Sequence, residues 1–372
     1  MNARTHRLRV LQILPALEAG GVEKSTMEIA AALIAAGHQA TVVSAGGRMV
    51  AALEAMGATH VTLPVGRKSP LTFRHVKALR ELMKGHDIVH ARSRMPAWLA
   101  WFALRGLSAP PHFVTTVHGL NSPSRYSRIM TRGERVICVS ETVKDYVLRH
   151  YPDTPANRLV VIPRGIAPAQ FPKRPQVDLE ARAHFSRQWP ALAQPGALLL
   201  MPGRGTRLKG HTDAIRLLQQ LKAEGLPAVL WMPGADDPKR AAYVAELRSL
   251  AQSLGVAAQV VITPPVSNVA QAYAASDVVL QLSRKPESFG RTVIEALSVG
   301  VPVVGWDHGG VGEILRKLFP EGAVACFSDA ALVEKAKAFL ATPPVTPAAI
   351  PYNLESMQEA TLNVYDRLDY DH

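Results

Sequence analysis

The stretch 277–307 reads DVVLQLSRKPESFGRTVIEALSVGVPVVGWD. It starts with an apolar run of strand length, passes through a loop ending at Gly290, and then spaces its apolar residues helically from Arg291 to Val299. A second apolar run, PVVGWD, follows directly. A strand, a helix and another strand in this order form a parallel pair joined by a helical crossover. The stretch therefore predicts an α/β fold with helices on both faces of a parallel sheet.

The same alternation runs through nearly the whole chain, with one interruption. Residues 168–195 are rich in Pro, Gln and charged residues and contain no strand-like run. The chain has 372 residues, which exceeds the usual size of a single core. We therefore expect two doubly wound domains facing each other across a cleft. The predicted boundaries are 1–172 for the first domain, 173–195 for a linker, 196–345 for the second domain and 346–372 for a C-terminal helical segment.

Composition narrows the class of protein. Hydrophobic residues make up 48% and charged residues 19%, which is typical of a globular chain. The apolar run Val10 to Leu14 is too short for a signal peptide, and no segment reaches the ~20 apolar residues of a membrane span. Cys138 and Cys326 lie in apolar runs, so we expect both to be reduced, buried strand residues. These features together favour a cytoplasmic protein.

Positive charge is concentrated in one segment. Between Arg67 and Arg135 there are thirteen Lys and Arg against three Asp and Glu, a surplus of ten, while the whole chain carries +12. Such a field favours anionic lipid surfaces, phosphorylated acceptors or nucleic acid. A basic, solvated face without a partner is the simpler alternative. The segment lacks the interleaved aromatic residues of single-strand binders, so we do not expect nucleic acid.

Two glycine loops follow strand-like runs and open helices. In LEAGGVEKST, Gly20 and Gly21 would let the backbone approach an anion at a helix start. A P-loop ATPase is one alternative, but Glu23 stands where that motif needs glycine before its lysine. A glycine turn without a ligand is another. In MPGRGTRLKGH, Arg204 and Lys209 suit a diphosphate, because a guanidinium fork and a point ammonium both bind phosphate oxygens.

The loop before the helix of the opening stretch completes the candidate site. Ser288, Phe289, Gly290 and Arg291 lead into a helix start, which directs backbone amides towards a phosphate. Glu287 precedes the helix and Glu295 lies about 8 Å along it at ~1.5 Å per residue. Carboxylates accept hydrogen bonds from sugar hydroxyls, so the pair could hold both ends of a nucleotide sugar. Two solvated glutamates on a surface helix are the alternative.

A histidine ends a strand-like run of the first predicted domain. His118 in TTVHGL precedes a glycine and is a site candidate, and a satisfied core histidine is the equally weighted alternative. His90 in DIVHARS has the same placement and a weaker claim. Ligands of open α/β sheets bind beyond the carboxyl ends of strands, which is where both residues are expected.

At these residues the chain resembles the retaining glycosyltransferases of family 4, which have the two-domain GT-B fold. The resemblance is nearly end to end and is carried by GGVE (20–23), HG (118–119), VIPRGI (161–166), GRGTRLKG (203–210), ASDVVLQLS (275–283) and ESFGRTVIEALSVGVPVV (287–304). Two positions depart from the family pattern. Arg291 stands where an apolar residue is usual, and Arg164 where asparagine is frequent.

The resemblance implies roles for these residues. Glu287 would contact the donor sugar and Glu295 the ribose, while Arg204 and Lys209 would neutralise the diphosphate. His118 would lie near the reacting carbon of the sugar. Gly20 and Gly21 would close over the phosphates, and the last helix would pack back on the first domain.

The predicted function is retaining transfer of a sugar from a UDP- or GDP-linked nucleotide-diphosphate donor to a hydroxyl of a lipopolysaccharide core or related envelope glycan. GRKSPLT and HARSRMPAW resemble stretches of enzymes in that pathway. A nucleotide-sugar epimerase of the same fold is the alternative. We expect no metal or other cofactor, because Asp369-Tyr370-Asp371 is the one Asp-x-Asp string and lies at the tail. We also expect peripheral contact with the inner face of the cytoplasmic membrane through residues 67–135.

Overall fold

The architecture is that of a computed structural model, which describes residues 7–18 and 20–370. The chain divides into two units. One consists of Met1–Arg164 together with Leu354–His372, and the other of Gly165–Asn353. Residues 173–195, expected to be a linker, lie inside the second unit. They contain a helix whose Phe185 is buried and packs 4.7 Å from the ring of Trp231.

The first unit is built on a parallel sheet. In the described part of the chain its strands are β1 (Arg9–Ile13), β2 (Gln39–Ser44), β3 (Thr59–Thr62), β4 (Ile88–Ala91), β5 (His112–Val117), β6 (Arg135–Cys138) and β7 (Leu159–Val161). Their order is β3-β2-β1-β4-β5-β6-β7. The crossovers contain α1 (Gly21–Ala35), α2 (Val50–Ala55), α3 (Val76–Met83), α4 (Arg94–Leu104) and α5 (Glu141–His150). A 3₁₀ turn, Pro70–His75, precedes α3.

The second unit repeats this plan. Its described strands are β8 (Ala197–Leu200), β9 (Ala228–Pro233), β10 (Val260–Thr263), β11 (Val278–Gln281), β12 (Val303–Trp306) and β13 (Ala323–Val324), in the order β10-β9-β8-β11-β12-β13. Its helices are α6 (Leu179–Gln188), α7 (His211–Ala223), α8 (Ala241–Ser253), α9 (Val269–Ala274), α10 (Arg291–Val299), α11 (Gly309–Leu318) and α12 (Asp329–Ala341). All strand pairs are parallel. The stretch 277–307 therefore forms β11, α10 and β12, as its pattern predicts.

The last helix, α13 (Leu354–Tyr370), returns to the first unit. Its Leu362, Tyr365 and Leu368 join the same apolar core as Val10 of β1 and Ile29 of α1. The Gln358 side-chain amide donates to the Glu28 carbonyl of α1 at 2.7 Å. These contacts confirm the prediction that the C-terminal helix belongs to the first domain.

The two cysteines differ from each other. Cys138 is buried at the end of β6, as expected. Cys326 is exposed, so the prediction of a buried strand residue is wrong. The physical reason is that β13 ends at Val324, where the chain leaves the sheet and turns.

A helix that crosses a bilayer must be both long and apolar. Across 7–18 and 20–370, none of the helices combines the length and the hydropathy needed to cross a bilayer.

Candidate functional site

The predicted diphosphate and sugar ligands of the second unit follow two neighbouring strands. Strand order reverses between β8 and β11, which pair in parallel at Val278–Leu199 and Val279–Leu200. Lys209 lies in the loop after β8, and Glu287 in the loop after β11. In doubly wound sheets, a crevice opens where the strand order reverses, at the carboxyl ends of the strands. The topology therefore places both residues where such folds bind ligands.

Backbone contacts hold these two loops together. Gly210 has φ 79°, and a Cβ there would lie 1.9 Å from the Leu282 carbonyl oxygen, so only glycine fits. The Arg284 amide donates to the Leu208 carbonyl at 2.8 Å. These contacts fix the loop that carries Lys209 against the loop that carries Glu287.

Lys209 and Glu287 form an ion pair. The Nζ–Oε1 distance is 2.6 Å, and the two side chains are 26% and 25% exposed. An ammonium has three donors, so pairing with one carboxylate oxygen leaves Lys209 able to bind a phosphate oxygen as well. The sequence predicted each residue as a ligand group but did not predict their contact.

Further contacts position Glu287. The Ser283 hydroxyl contacts the same carboxylate oxygen as Lys209. His308 Nε2 lies 2.7 Å from the Ser283 carbonyl oxygen, which can only accept, so Nε2 carries the proton. The Gly310 amide, in the first turn of α11, donates to the Glu287 carbonyl at 2.7 Å. No sequence motif indicated a role for Ser283 or His308 in the site, although both residues follow strand ends.

Helix α10 begins at the loop predicted to bind phosphate. Gly290 is its N-cap residue, with φ 129°, and no side chain caps the helix there. Helix N-terminal amides are an anion site when nothing else satisfies them. The Phe289 side chain is buried and packs edge-on against Tyr352, with ring centroids 5.5 Å apart. Ser288 is half-buried in the same loop. Any ligand contact of Phe289 is therefore through its backbone.

Glu295 lies one helical turn further and is 13% exposed. Tyr273, a buried residue of α9, donates its hydroxyl to Glu295 Oε2 at 2.9 Å. Burial and the adjacent carboxylate raise the pKa of Tyr273 well above its usual range, so it stays a donor. Arg291 Nε lies 3.3 Å from Glu295 Oε1. Arg291 thus pairs with Glu295 along the helix, which the family pattern did not predict.

Arg204, the other predicted diphosphate ligand, follows β8 in the glycine loop. Its side chain is exposed, and its carbonyl accepts from the Thr206 amide at 2.7 Å. An exposed guanidinium costs little to move, so Arg204 is available to an anion bound at the adjacent loops.

In the first unit, the glycine loop opens α1. Gly20 is the N-cap residue, and Gly21 is exposed. The Glu23 carboxylate folds back over Gly20, since a Cβ on Gly20 would lie 2.3 Å from Glu23 Oε2. A carboxylate at this position would repel the phosphates of a P-loop ligand, which argues against the ATPase alternative.

His118 follows β5 and contacts Arg164. The Arg164 guanidinium contacts His118 Nδ1, the Ser25 hydroxyl in α1 and, at 4.0 Å, the sulfur of Met357 in α13. A guanidinium only donates, so Nδ1 accepts and the proton of the neutral ring lies on Nε2. Burial, together with Arg164 and Arg92, holds the pKa of His118 well below its usual range. His118 is therefore a neutral ring with one N–H donor.

Arg164 is the functional neighbour that sequence analysis did not recognise. Arg164 departs from the family pattern, but its contact with His118 spans 46 positions and no local pattern indicates it. Arg164 is the last residue of the first segment of its unit. Through its contacts with Ser25, His118 and Met357 it connects α1, the end of β5 and α13.

His90 is a core histidine and not a ligand candidate. It is fully buried, and its two ring nitrogens lie 2.6 Å from the hydroxyls of Tyr365 and Thr116. Both hydrogen-bonding atoms are thereby used within the first unit, so the alternative of a satisfied core residue is the one that holds.

A metal site needs several ligating side chains close together. Within 7–18 and 20–370, no cluster of three or more His, Cys, Asp or Glu has the arrangement of a metal site. Asp369 of the tail Asp-x-Asp string belongs to α13, and Asp371 lies outside the described residues.

Two family models match the chain and together cover most of it. The model described as Glycosyltransferase Family 4 matches residues 19–170, and the model described as Glycosyl transferases group 1 matches residues 185–354. A curated relative, the D-inositol 3-phosphate glycosyltransferase of Xylanimonas cellulosilytica, is 29% identical over 251 residues. That match covers 62% of this chain and 58% of the relative, so the chain spans little more than half the length of this relative.

Solved structures show the same architecture over nearly the whole chain. A glycosyltransferase from Rickettsia africae is 26% identical with a TM-score of 0.84, covering 97% of this chain and 98% of that one. Anabaena HepE in complex with UDP and glucose is 18% identical with a TM-score of 0.81, covering 97% and 100%. WaaG, a glycosyltransferase involved in lipopolysaccharide biosynthesis, is 19% identical with a TM-score of 0.68, covering 94% of each chain.

The last two similarities show the fold alone, and the family matches carry the assignment. With both of its sheets, its returning C-terminal helix and both family regions accounted for, this chain belongs to glycosyltransferase family 4 and has the GT-B fold.

Proposed function

We propose that this protein transfers a sugar from a nucleotide-diphosphate donor to a hydroxyl of a phosphorylated acceptor, with retention of configuration at the sugar carbon. The observation that carries the proposal is the Lys209–Glu287 pair, 2.6 Å apart at the strand-order reversal of a family 4 chain. A cation and a carboxylate at that position match the two halves of such a donor, its diphosphate and its sugar.

The donor would be held by the second unit. Lys209, Arg204 and the amides at the start of α10 would bind the diphosphate. Glu287 would accept hydrogen bonds from the sugar, and Glu295 from the ribose. Tyr273 and Arg291 fix the orientation of the Glu295 carboxylate. His118, with its Nε2 proton, would donate to the donor sugar.

The chemistry needs no nucleophilic side chain. The bond between the sugar carbon and the diphosphate oxygen breaks, the carbon passes through an oxocarbenium-like state, and the acceptor oxygen bonds to the same face. The acceptor proton passes to the departing phosphate oxygen. Charge accumulates on the diphosphate, so its stabilisation by Lys209, Arg204 and the helix start is the main contribution of the protein.

The acceptor is proposed to be anionic. The segment from Arg67 to Arg135 has its surplus of ten positive charges in the first unit, the half of the fold that does not contain the donor loops. The curated relatives are named for D-inositol 3-phosphate, and WaaG for lipopolysaccharide biosynthesis. A phosphorylated envelope glycan, of which a lipopolysaccharide core is one kind, shares the phosphate with the inositol acceptor. Such an acceptor would place the enzyme at the inner face of the cytoplasmic membrane.

The donor base is the first quantity to measure. A thermal-shift panel of UDP, GDP and ADP, each with and without its sugar, should raise the melting temperature for one base only, because base contacts discriminate where diphosphate contacts do not. UDP is the first candidate, since HepE was solved with UDP and glucose. No shift with any of the three would contradict the proposed donor site.

Acceptor dependence separates transfer from epimerisation. A transferase should release the nucleoside diphosphate only when acceptor is present, whereas an epimerase would convert the donor alone. D-inositol 3-phosphate and a deacylated lipopolysaccharide core are the two acceptors to compare. Excess EDTA should leave the rate unchanged, and a strict requirement for a divalent cation would contradict the proposed charge stabilisation by side chains and helix start.

A further inference from the structure

An aromatic pocket lies in the first unit, away from the residues assigned above. It has a volume of about 560 Å³, and its walls include Lys68, Phe73, Met95, Trp98, Phe102 and Tyr126, which we call the aromatic pocket. Phe73 and Phe102 meet edge-on with centroids 5.5 Å apart, and Trp98 stacks on Phe102 at 5.8 Å. This volume lies within the range of small-molecule sites.

Apolar side chains at this pocket are exposed to an unusual degree. Phe73 is 40% exposed and Phe102 38%, and Leu71, two positions before Phe73 in the same 3₁₀ turn, is 73% exposed beside the pocket. They come from the 3₁₀ turn Pro70–His75 and from α4, which are adjacent in the fold. A cluster of large exposed apolar residues at a cavity mouth marks a binding surface.

Cations border the same pocket. The Lys68 ammonium lies 5.8 Å and the Arg94 guanidinium 5.3 Å from the centre of the Tyr126 ring. Arg94 also donates to the Ser127 hydroxyl at 3.2 Å, which fixes it at the pocket edge. A purely apolar ligand would gain nothing from these charges. The combination fits a ligand that has a hydrocarbon chain and an anionic head.

The pocket shares a loop with His118. Tyr126 ends the loop that begins at His118, and the Trp98 indole donates to the Tyr126 carbonyl at 3.0 Å. Lys68 and Arg94 both lie at the Tyr126 ring, so the anionic head of a ligand whose chain fills the pocket would lie at the end of this loop. His118 is proposed above to contact the donor sugar, so a head group on its loop is the arrangement expected of an acceptor.

We propose that the aromatic pocket binds the alkyl chain of an amphipathic lipid acceptor and that Lys68 and Arg94 bind its phosphate. This inference rests on the proposed glycosyl transfer and adds the substrate class: a lipid-linked, phosphorylated acceptor. Binding of the acceptor chain in a cavity differs from contact of a basic face with a membrane, because a cavity holds a single chain and saturates.

Monomeric alkyl phosphates test the pocket. Octyl, decyl and dodecyl phosphate, each below its critical micelle concentration, are titrated into the full chain by calorimetry. We expect one site and an affinity that rises about fourfold for each added methylene until the pocket is full. Dodecyl maltoside should bind more weakly, and inorganic phosphate should not compete at equal concentration. Affinity independent of chain length, or competition by inorganic phosphate alone, would overturn the proposal.

Matched variants localise the binding. Phe73→Ser with Phe102→Ser should lower dodecyl phosphate affinity at least tenfold. The control pair, Leu179→Ser with Phe327→Ser, removes apolar residues that are 68% and 48% exposed in the second unit and should change nothing. Lys68→Ala should weaken dodecyl phosphate but not dodecyl maltoside, and exposed Lys77→Ala should weaken neither. Equal effects in test and control variants would overturn the assignment, as would binding to phosphatidylglycerol vesicles without any saturable binding of monomers.

The nucleoside diphosphate affinity of each sample separates this inference from the proposed function. Pocket variants should keep the wild-type shift with the preferred nucleoside diphosphate and lose transfer to a lipid-linked acceptor. Undiminished transfer to that acceptor would overturn the pocket alone. If the wild-type chain binds no nucleoside diphosphate, the proposed function is overturned. The acceptor role of the pocket then falls with it, even if alkyl phosphates bind.

Discussion

Replacing Lys209 by alanine should separate stability from catalysis. The ion pair with Glu287 is short, but both side chains are about a quarter exposed, so its net contribution to the free energy of unfolding should be no more than about 1 kcal/mol. The catalytic loss should be larger. Removing one preorganised donor from a developing negative charge costs about 10²–10³ in kcat, which is about 2.7–4 kcal/mol of transition-state stabilisation.

The assay compares kcat, KM for the donor and the melting temperature of the wild type, Lys209→Ala, Glu287→Ala, the double variant and the control Lys239→Ala. Lys239 is an exposed lysine of the same unit, outside the loops of the site. A double variant that also carries Glu287→Ala should lose less than the sum of the two single losses, since the residues are in contact. Wild-type turnover in Lys209→Ala, or a melting temperature lowered by more than about 4 °C, would refute the reasoning.

Three more outcomes follow from the structure. Glu295→Ala should weaken binding of the nucleoside diphosphate by about tenfold, whereas Glu287→Ala should leave that binding intact and lower turnover, as isothermal titration and product release will show. Burial lowers the pKa of His211 to about 4 in the folded chain, against about 6.5 for an ordinary histidine. Between about pH 6.5 and pH 4 the unfolded chain therefore binds more protons than the folded chain. The free energy of unfolding should fall by up to about 3 kcal/mol as the pH drops through that window, and His211→Gln should flatten this slope in urea titrations. Tyr365→Phe removes one of the two hydroxyl partners of buried His90. It should lower the free energy of unfolding, measured by chemical denaturation, by about 1–3 kcal/mol, with little change in donor binding.

The fold was predictable because each of its strand–helix–strand repeats is formed by consecutive residues. An apolar run such as that of β11, a glycine before α10 and a second run in β12 lie within about thirty consecutive residues, and the chain repeats this pattern. The errors occur where the pattern is weakest. The apolar run around Cys326 has strand composition, but β13 pairs only through Gly305 and Trp306 of β12, so the chain leaves the sheet before the cysteine.

The site was less predictable, because its decisive contacts are not local. Sequence motifs indicated Lys209 and Glu287 as separate ligands, but their contact joins positions 78 apart and depends on the packing of Gly210 against Leu282. Arg164 and His118 are 46 apart and meet only because β5 and the segment after β7 end at the same edge of the sheet. No periodicity of a single helix or strand contains that information.

The returning helix α13 has a consequence for how the chain is made. The first sheet takes part of its core from Tyr365 and Leu368, which are synthesised after the second unit, an uninterrupted segment from Gly165 to Asn353. At about 5–20 residues per second, a ribosome needs roughly 10–40 s to pass from the end of the first segment to α13. During that interval the N-terminal sheet has an uncovered apolar surface, while the later segment can complete its own core. The half of the protein that is translated first is therefore the half that finishes folding last.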